Sequence, residues 1–247
     1  MFKFIIITVL PIAFLLYYLR KQDQVKPEPK KKLAECFGLG MLGGVIGSLI
    51  IGVFSALGIG TGYDSLFYGD IIGALVEAAA FVSVVYFILW KHSEKNPYFD
   101  EFLDGPVYAV CIAFGYQILC DFFNVFTDDW VSVGLLTIMV VVAVYATAMV
   151  IGYYYSMARF GEMELTGKNK FKMWAVPVAI VWIYNCVCYW SNESVVGLIV
   201  AIVFFIAFGY YTYKKSNAII AELKERDRVL EEQGQTVVPS DIVDEGE

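Results

Sequence analysis

The chain has 247 residues, of which 59% are hydrophobic and 17% charged, with a formal net charge of −7. Soluble domains carry about 45–50% apolar residues, and here the charges collect in short blocks between long apolar stretches, so a soluble cytoplasmic protein is excluded. The net charge of −7 is also not the signature of a nucleic-acid binder.

A helix needs about 20 apolar residues to cross a bilayer core roughly 30 Å thick. On that measure the chain has about seven spans, near residues 2–19, 34–58, 70–90, 105–126, 132–157, 171–190 and 195–213. The fold class expected is therefore all-α, a polytopic transmembrane helix bundle. The first apolar run has no small-residue cleavage pattern after it and stops at Tyr17-Tyr18-Leu19-Arg20-Lys21, so it reads as an uncleaved span.

Basic residues set the orientation. Arg20, Lys21, Lys26 and Lys30 to Lys32 follow span one, and Lys91 and Lys95 follow span three. Arg159, Lys168, Lys170 and Lys172 lie between spans five and six, and Lys214 and Lys215 follow span seven. The alternate loops hold acids such as Asp64, Asp128, Asp129 and Glu193 and no Lys or Arg; Lys3 alone breaks the pattern. The positive-inside rule then puts the N-terminus out and the C-terminus in, and predicts a multi-pass inner-membrane protein.

Span two contains Gly38, Gly40, Gly43, Gly44, Gly47 and Gly52. The pairs Gly40-xxx-Gly44 and Gly43-xxx-Gly47 let helix backbones approach closely, either inside the bundle or in a homodimer through span two. Cys36, Cys111, Cys120, Cys186 and Cys188 all fall in or beside apolar segments and read as reduced packing residues. The single histidine, His92, lies in the charged stretch after span three. Two regions follow from the pattern: a bundle over residues 1–213, and a cytoplasmic segment over 214–247 comprising an amphipathic, solvated helix and an acidic tail. In that helix Ile219, Ile220, Leu223 and Leu230 share a face, and Glu222 can pair with Arg226.

Several short motifs recur in a telling order. Lys26-Pro27-Glu28-Pro29-Lys30-Lys31 precedes Phe37 and the glycine-rich helix. Leu75-Val76-Glu77 opens span three, and Phe99-Asp100-Glu101-Phe102-Leu103-Asp104-Gly105-Pro106-Val107-Tyr108 leads into span four. Gly115-Tyr116, Gly152-Tyr153-Tyr154, Ala158-Arg159 and Tyr184-Asn185 come next. Together, over roughly residues 10–190, they resemble the PrsW family of intramembrane metalloproteases. In that resemblance Glu77 matches the first residue of a Glu-Glu-x-x-Lys motif, and Tyr184-Asn185 the end of a His-Gly-x-Tyr-Asn/Asp motif.

The same comparison implies losses. The second glutamate of the first motif falls on Ala78 and its lysine on Phe81. A span-four Glu-Asn pair falls on Cys120 and Asp121. The span-five histidine falls near Val144 or Tyr145, and the span-six histidine on Val181, with Trp182 in place of a glycine. A peptidase zinc site takes about three protein ligands, usually His with a carboxylate, and no imidazole is available in any span.

The remaining polar groups define the candidate site. Glu77 and Asp121 are the candidate catalytic pair, and Glu77, Cys120, Asp121, Tyr145, Tyr184 and Asn185 the candidate substrate-binding set. Glu77, Asp121 and Asn185 fall at comparable depth on three spans, and an ionisable group in lipid is costly enough to face a bundle interior. Cys120 and Asp121 are adjacent, so they point about 100° apart and do not share a metal easily. Gln117 and Asn124 flank Asp121 and can satisfy it by hydrogen bonds.

The expectation is a PrsW-like scaffold that lacks catalysis, with no metal, and that binds or regulates membrane-protein segments or a membrane-bound regulator within the lipid bilayer. The alternatives are an active, divergent intramembrane peptidase using Glu77 with Asp121 or zinc, and a small transporter or channel, which internal inverted repeats would favour and none are evident.

Overall fold

The computed structural model describes residues 4–22, 28–59, 71–94, 96–127, 134–193 and 195–232, the side chains of 123–127, 134–138 and 192–193 excepted. Among them there is no strand, and seven helices are long and apolar enough to cross a membrane. Span one opens with a π-helical turn, Ile5–Val9, that runs into α1, Leu10–Gln22. The others are α2 (Lys30–Ala56), α3 (Gly73–Ser93), α4 (Asp104–Thr127), α5 (Gly134–Arg159), α6 (Gly167–Glu193) and α7 (Val195–Glu232). The protein is a multi-pass membrane bundle whose helices alternate between an acidic end and a basic end. The acidic stretches 60–70 and 128–133, the 23–27 linker, Lys3 and the tail from residue 233 lie outside the described residues.

Five helices close a ring: α2 packs on α3, α3 on α6, α6 on α5, α5 on α4, and α4 back on α2. Span one lies against α4 and α5, and α7 against α5 and α6. The closest pair, α2 with α4, is explained by glycine. A Cβ on Gly40 would fall on the Ile112 carbonyl, one on Gly44 at 3.1 Å from the Tyr116 carbonyl oxygen, and one on Gly47 on the Tyr116 ring. On the neighbouring face a Cβ at Gly43 would meet Val84 and Ile88 of α3. The expected small-residue seam is thus consumed inside one chain. Of the two uses foreseen for these small-residue pairs, close packing inside the bundle is the one these four contacts show. A second crossing is set by Gly152 of α5, where a Cβ would fall on Pro106 at the start of α4.

Pro177 sits inside α6, where it removes an amide and frees the carbonyl one turn back. That carbonyl belongs to Met173, and the Tyr86 hydroxyl of α3 donates to it at 2.8 Å. A backbone acceptor with no water nearby must find a neighbouring helix, and here it does.

The amphipathic segment after span seven lays its apolar face on the bundle. α7 continues without a break to Glu232 and stays on the bundle, with Ile220 and Leu223 buried. At about 1.5 Å per residue, 38 residues are far more than a 30 Å core requires, so the last turns extend past the basic end. Asp227 accepts from the Phe102 and Leu103 amides at 2.6 and 3.3 Å, capping the approach to α4. Tyr18 donates to Asn217, Lys224 to Gln22 at 3.0 Å, and Arg226 stands over the Phe102 ring and pairs with Glu162. The expected Glu222–Arg226 pair is also present, at 3.2 Å.

Candidate functional site

The ring of five helices encloses a cavity of about 390 Å³ in the acidic half of the bundle. Its walls come from Ser48 and Ile51 of α2, Glu77 and Phe81 of α3, Tyr116, Gln117 and Cys120 of α4, Val140, Ala143 and Val144 of α5, and Val181, Tyr184, Asn185 and Tyr189 of α6. Glu77 stands four residues into α3, and Asn185 and Tyr189 occupy the last turns of α6. Because α3 and α6 pack side by side and run in opposite directions, these positions meet at one level.

Two neutral donors hold the Glu77 carboxylate. Asn185 Nδ2 donates to Oε2 at 3.1 Å, and the Tyr189 hydroxyl donates to Oε1 at 2.9 Å. Beside them the Trp182 indole donates to the Ile71 carbonyl at 2.9 Å, tying α6 to the segment leading into α3. Trp182 is therefore a lock between the two helices that carry the site.

The candidate residues divide. Glu77, Cys120, Tyr184 and Asn185 line the cavity, and Asp121 and Tyr145 do not. Asp121 is buried on the side of α4 facing span one, where its carboxylate accepts from Thr8 Oγ1 at 3.1 Å and Gln117 Nε2 at 2.7 Å. This follows from helix geometry, since Cys120 and Asp121 diverge by about 100° and only one can face the ring interior. Asn124 has its side chain outside the described set. Tyr145 lines a separate cavity of about 250 Å³ between α1, α5 and α7, with Phe14, Tyr18 and Ser216 among its neighbours. His92 occupies the last turn of α3, with its ring 5.5 Å from that of Tyr108. It is 15 residues, or roughly 22 Å, from Glu77 along the helix axis.

Sequence reasoning missed Tyr189, Gln117 and Ser48 as cavity residues. Tyr189 had a legible signal: it follows Asn185 by four, so the two share a helix face. Ser48 had none, since which face of the glycine-rich α2 turns inward depends on how α4 packs.

These features define a class: a polytopic helix bundle with a polar cavity inside the membrane, built around one carboxylate. A sequence model of the PrsW family of intramembrane metalloproteases matches residues 28–210. The chain is also 25% identical over 181 residues to the protease PrsW of Clostridioides difficile (strain 630), covering 71% of this chain and 74% of the relative. No solved structure matches the chain at a significant level. The chain belongs to the PrsW family.

The family description implies a metal, and the residues present do not fit one. Among the described residues, Glu77 and Cys120 are the only His, Cys, Asp or Glu side chains in the cavity wall. Among the described residues, no three such side chains converge anywhere. A metal peptidase site takes about three protein ligands. The positions that the family resemblance assigns to a lysine, a glutamate and two histidines, namely Phe81, Cys120, Val144 (or its neighbour Tyr145) and Val181, turn toward the cavity with the exception of Tyr145. At these positions the cavity wall carries apolar groups and a thiol.

Proposed function

We propose that the protein is a PrsW-family scaffold that holds a segment of another membrane protein in the cavity around Glu77 and does not cut it. The observation that carries this reading is the cavity wall itself: Phe81, Val144 and Val181 stand where the family pattern has cationic or imidazole groups, and among the described residues Glu77 is engaged by neutral donors only. Peptide hydrolysis needs a water activated by a base and an acid for the leaving amine, both within hydrogen-bond reach. Glu77 has the chemistry of a base. The second carboxylate, Asp121, is turned away and already bound to Thr8 and Gln117. A polar cavity bounded by apolar helices is, in contrast, well suited to binding, because every hydrogen bond made inside it is shielded from water.

The test uses purified protein in lipid nanodiscs, single-span substrate proteins, and zinc supplied in excess. The expected result is no cleavage, together with photocrosslinking of the substrates from a photoreactive residue placed at Val181. Cleavage that disappears in Glu77→Ala would overturn this reading and make the protein a divergent peptidase.

A further inference from the structure

The charge of the cavity points to the chemistry of its occupant. Glu77 lies six residues inside Ile71, roughly 9 Å along the helix. Its two hydrogen bonds come from an amide and a phenol, and no basic side chain among the described residues pairs with it. The position one turn on, where a helix would supply a cation at i+4, is Phe81, itself a cavity wall residue.

The rest of the sequence offers little help. Of the 18 Lys and Arg residues, all but Lys3 fall at or beyond the basic helix ends, and the loops at the acidic end contain none. A carboxylate has about four acceptor positions. Two are used, so the group keeps capacity toward a cavity that Ser48, Gln117 and Tyr116 make partly polar. An ionisable group at membrane depth is costly, and a carboxylate that meets no counter-charge among the described residues is suited to receiving one.

We infer that the cavity recognises a transmembrane segment bearing a lysine or arginine about 10 Å below its acidic-side boundary, and that Glu77 supplies the counter-charge. This deepens the binding role proposed above and rests on it. The basic group on the incoming helix would otherwise lie unpaired in hydrocarbon, so the attraction is specific to depth as well as to charge. Tyr189 and Asn185 hold the carboxylate in place and leave its free face toward the guest. Phe81 and Val181 supply the apolar wall for the stem of the basic side chain, which buries its methylenes readily.

The experiment compares three single-span peptides that differ only at one position seven residues inside the boundary: lysine, glutamine or leucine. Each carries a photoreactive group, and capture by the full chain in nanodiscs is measured. The lysine peptide is expected to be captured about tenfold more than the leucine peptide, with glutamine between them. Glu77→Gln is expected to erase the preference. Phe81→Lys, which offers an internal partner at i+4, is expected to erase it as well, and so checks the idea should the first variant fold poorly. The preference should be unchanged in Lys3→Gln. Equal capture of all three peptides overturns the charge recognition but leaves the binding role standing, as does a preference that survives Glu77→Gln. A preference that emerges only in Lys3→Gln would make Lys3 the occupant and overturn it too. No capture of any peptide overturns both readings.

Discussion

Asn185 on α6 donates its side-chain amide to Glu77 on α3 at 3.1 Å, across 108 positions of sequence. The contact joins two helices that are not consecutive, and it holds Glu77 in a cavity wall shared with the thiol of Cys120 and the apolar Val140, Ala143 and Val144 of α5. Interhelical hydrogen bonds in membranes average about 0.6 kcal/mol and reach about 1.7. A double-mutant cycle with Glu77→Leu and Asn185→Leu is expected to give a coupling in that range, read from unfolding in mixed micelles. A coupling of zero would mean that the pair does not exist in the membrane.

Tyr86 serves a different end. Its hydroxyl satisfies the Met173 carbonyl that Pro177 releases. Tyr86→Phe should therefore destabilise the protein by about 1 kcal/mol, an interhelical bond with an acceptor left bare. The double variant Tyr86→Phe, Pro177→Ala should recover most of that loss, because the alanine amide returns the intrahelical bond. The check is the midpoint of thermal unfolding for the three proteins.

Asp227 caps two backbone amides just ahead of α4 from a helix more than a hundred residues away. Replacing a side chain that caps free amides costs roughly 0.5–2 kcal/mol. Asp227→Ala is expected to loosen the end of α7, so that limited proteolysis cuts between residues 214 and 232 at least several times faster than in the parent chain. Asp227→Asn should lie between the two.

Gly40 and Gly152 are at backbone-to-backbone crossings. A Cβ there meets main-chain atoms, which do not yield as a side chain tip does. Gly40→Val and Gly152→Val are expected to cost about 3 kcal/mol or more, at the upper end of overpacking, and to abolish monodisperse expression. Gly38→Val and Gly52→Val, where nothing lies within reach of a Cβ, should express normally. Size-exclusion profiles separate the two outcomes.

Charge asymmetry predicts the orientation independently of packing. A fluorescent protein fused after Glu247 should fold and emit, as expected for a cytoplasmic C-terminus, and alkaline phosphatase at the same point should be inactive. The reverse pair of signals would invert the topology.

Much of this molecule is set by the sequence alone. Seven apolar segments of spanning length, bounded by basic or acidic loops, fix the helices and their alternation, because a bilayer leaves a hydrophobic chain with few other ways to satisfy its backbone. The order of the short motifs also announces the family, and their substitutions announce the missing imidazoles. The depth of Glu77 and Asn185 is legible for the same reason, since the rise per residue converts sequence position into distance from the membrane edge. What depth does not give is direction around the helix axis. That is why Asp121 stands at the right level yet faces Thr8, and why Tyr145 belongs to a different cavity. The glycines of α2 likewise promise a close approach without naming a partner. Only the packed bundle decides that they meet Ile112 and Tyr116, that α7 folds its polar end onto the basic face, and that Glu77 is the carboxylate left looking into the cavity. Rotation about a helix is determined by which neighbours fill which grooves, a collective property of all seven helices that no single segment carries.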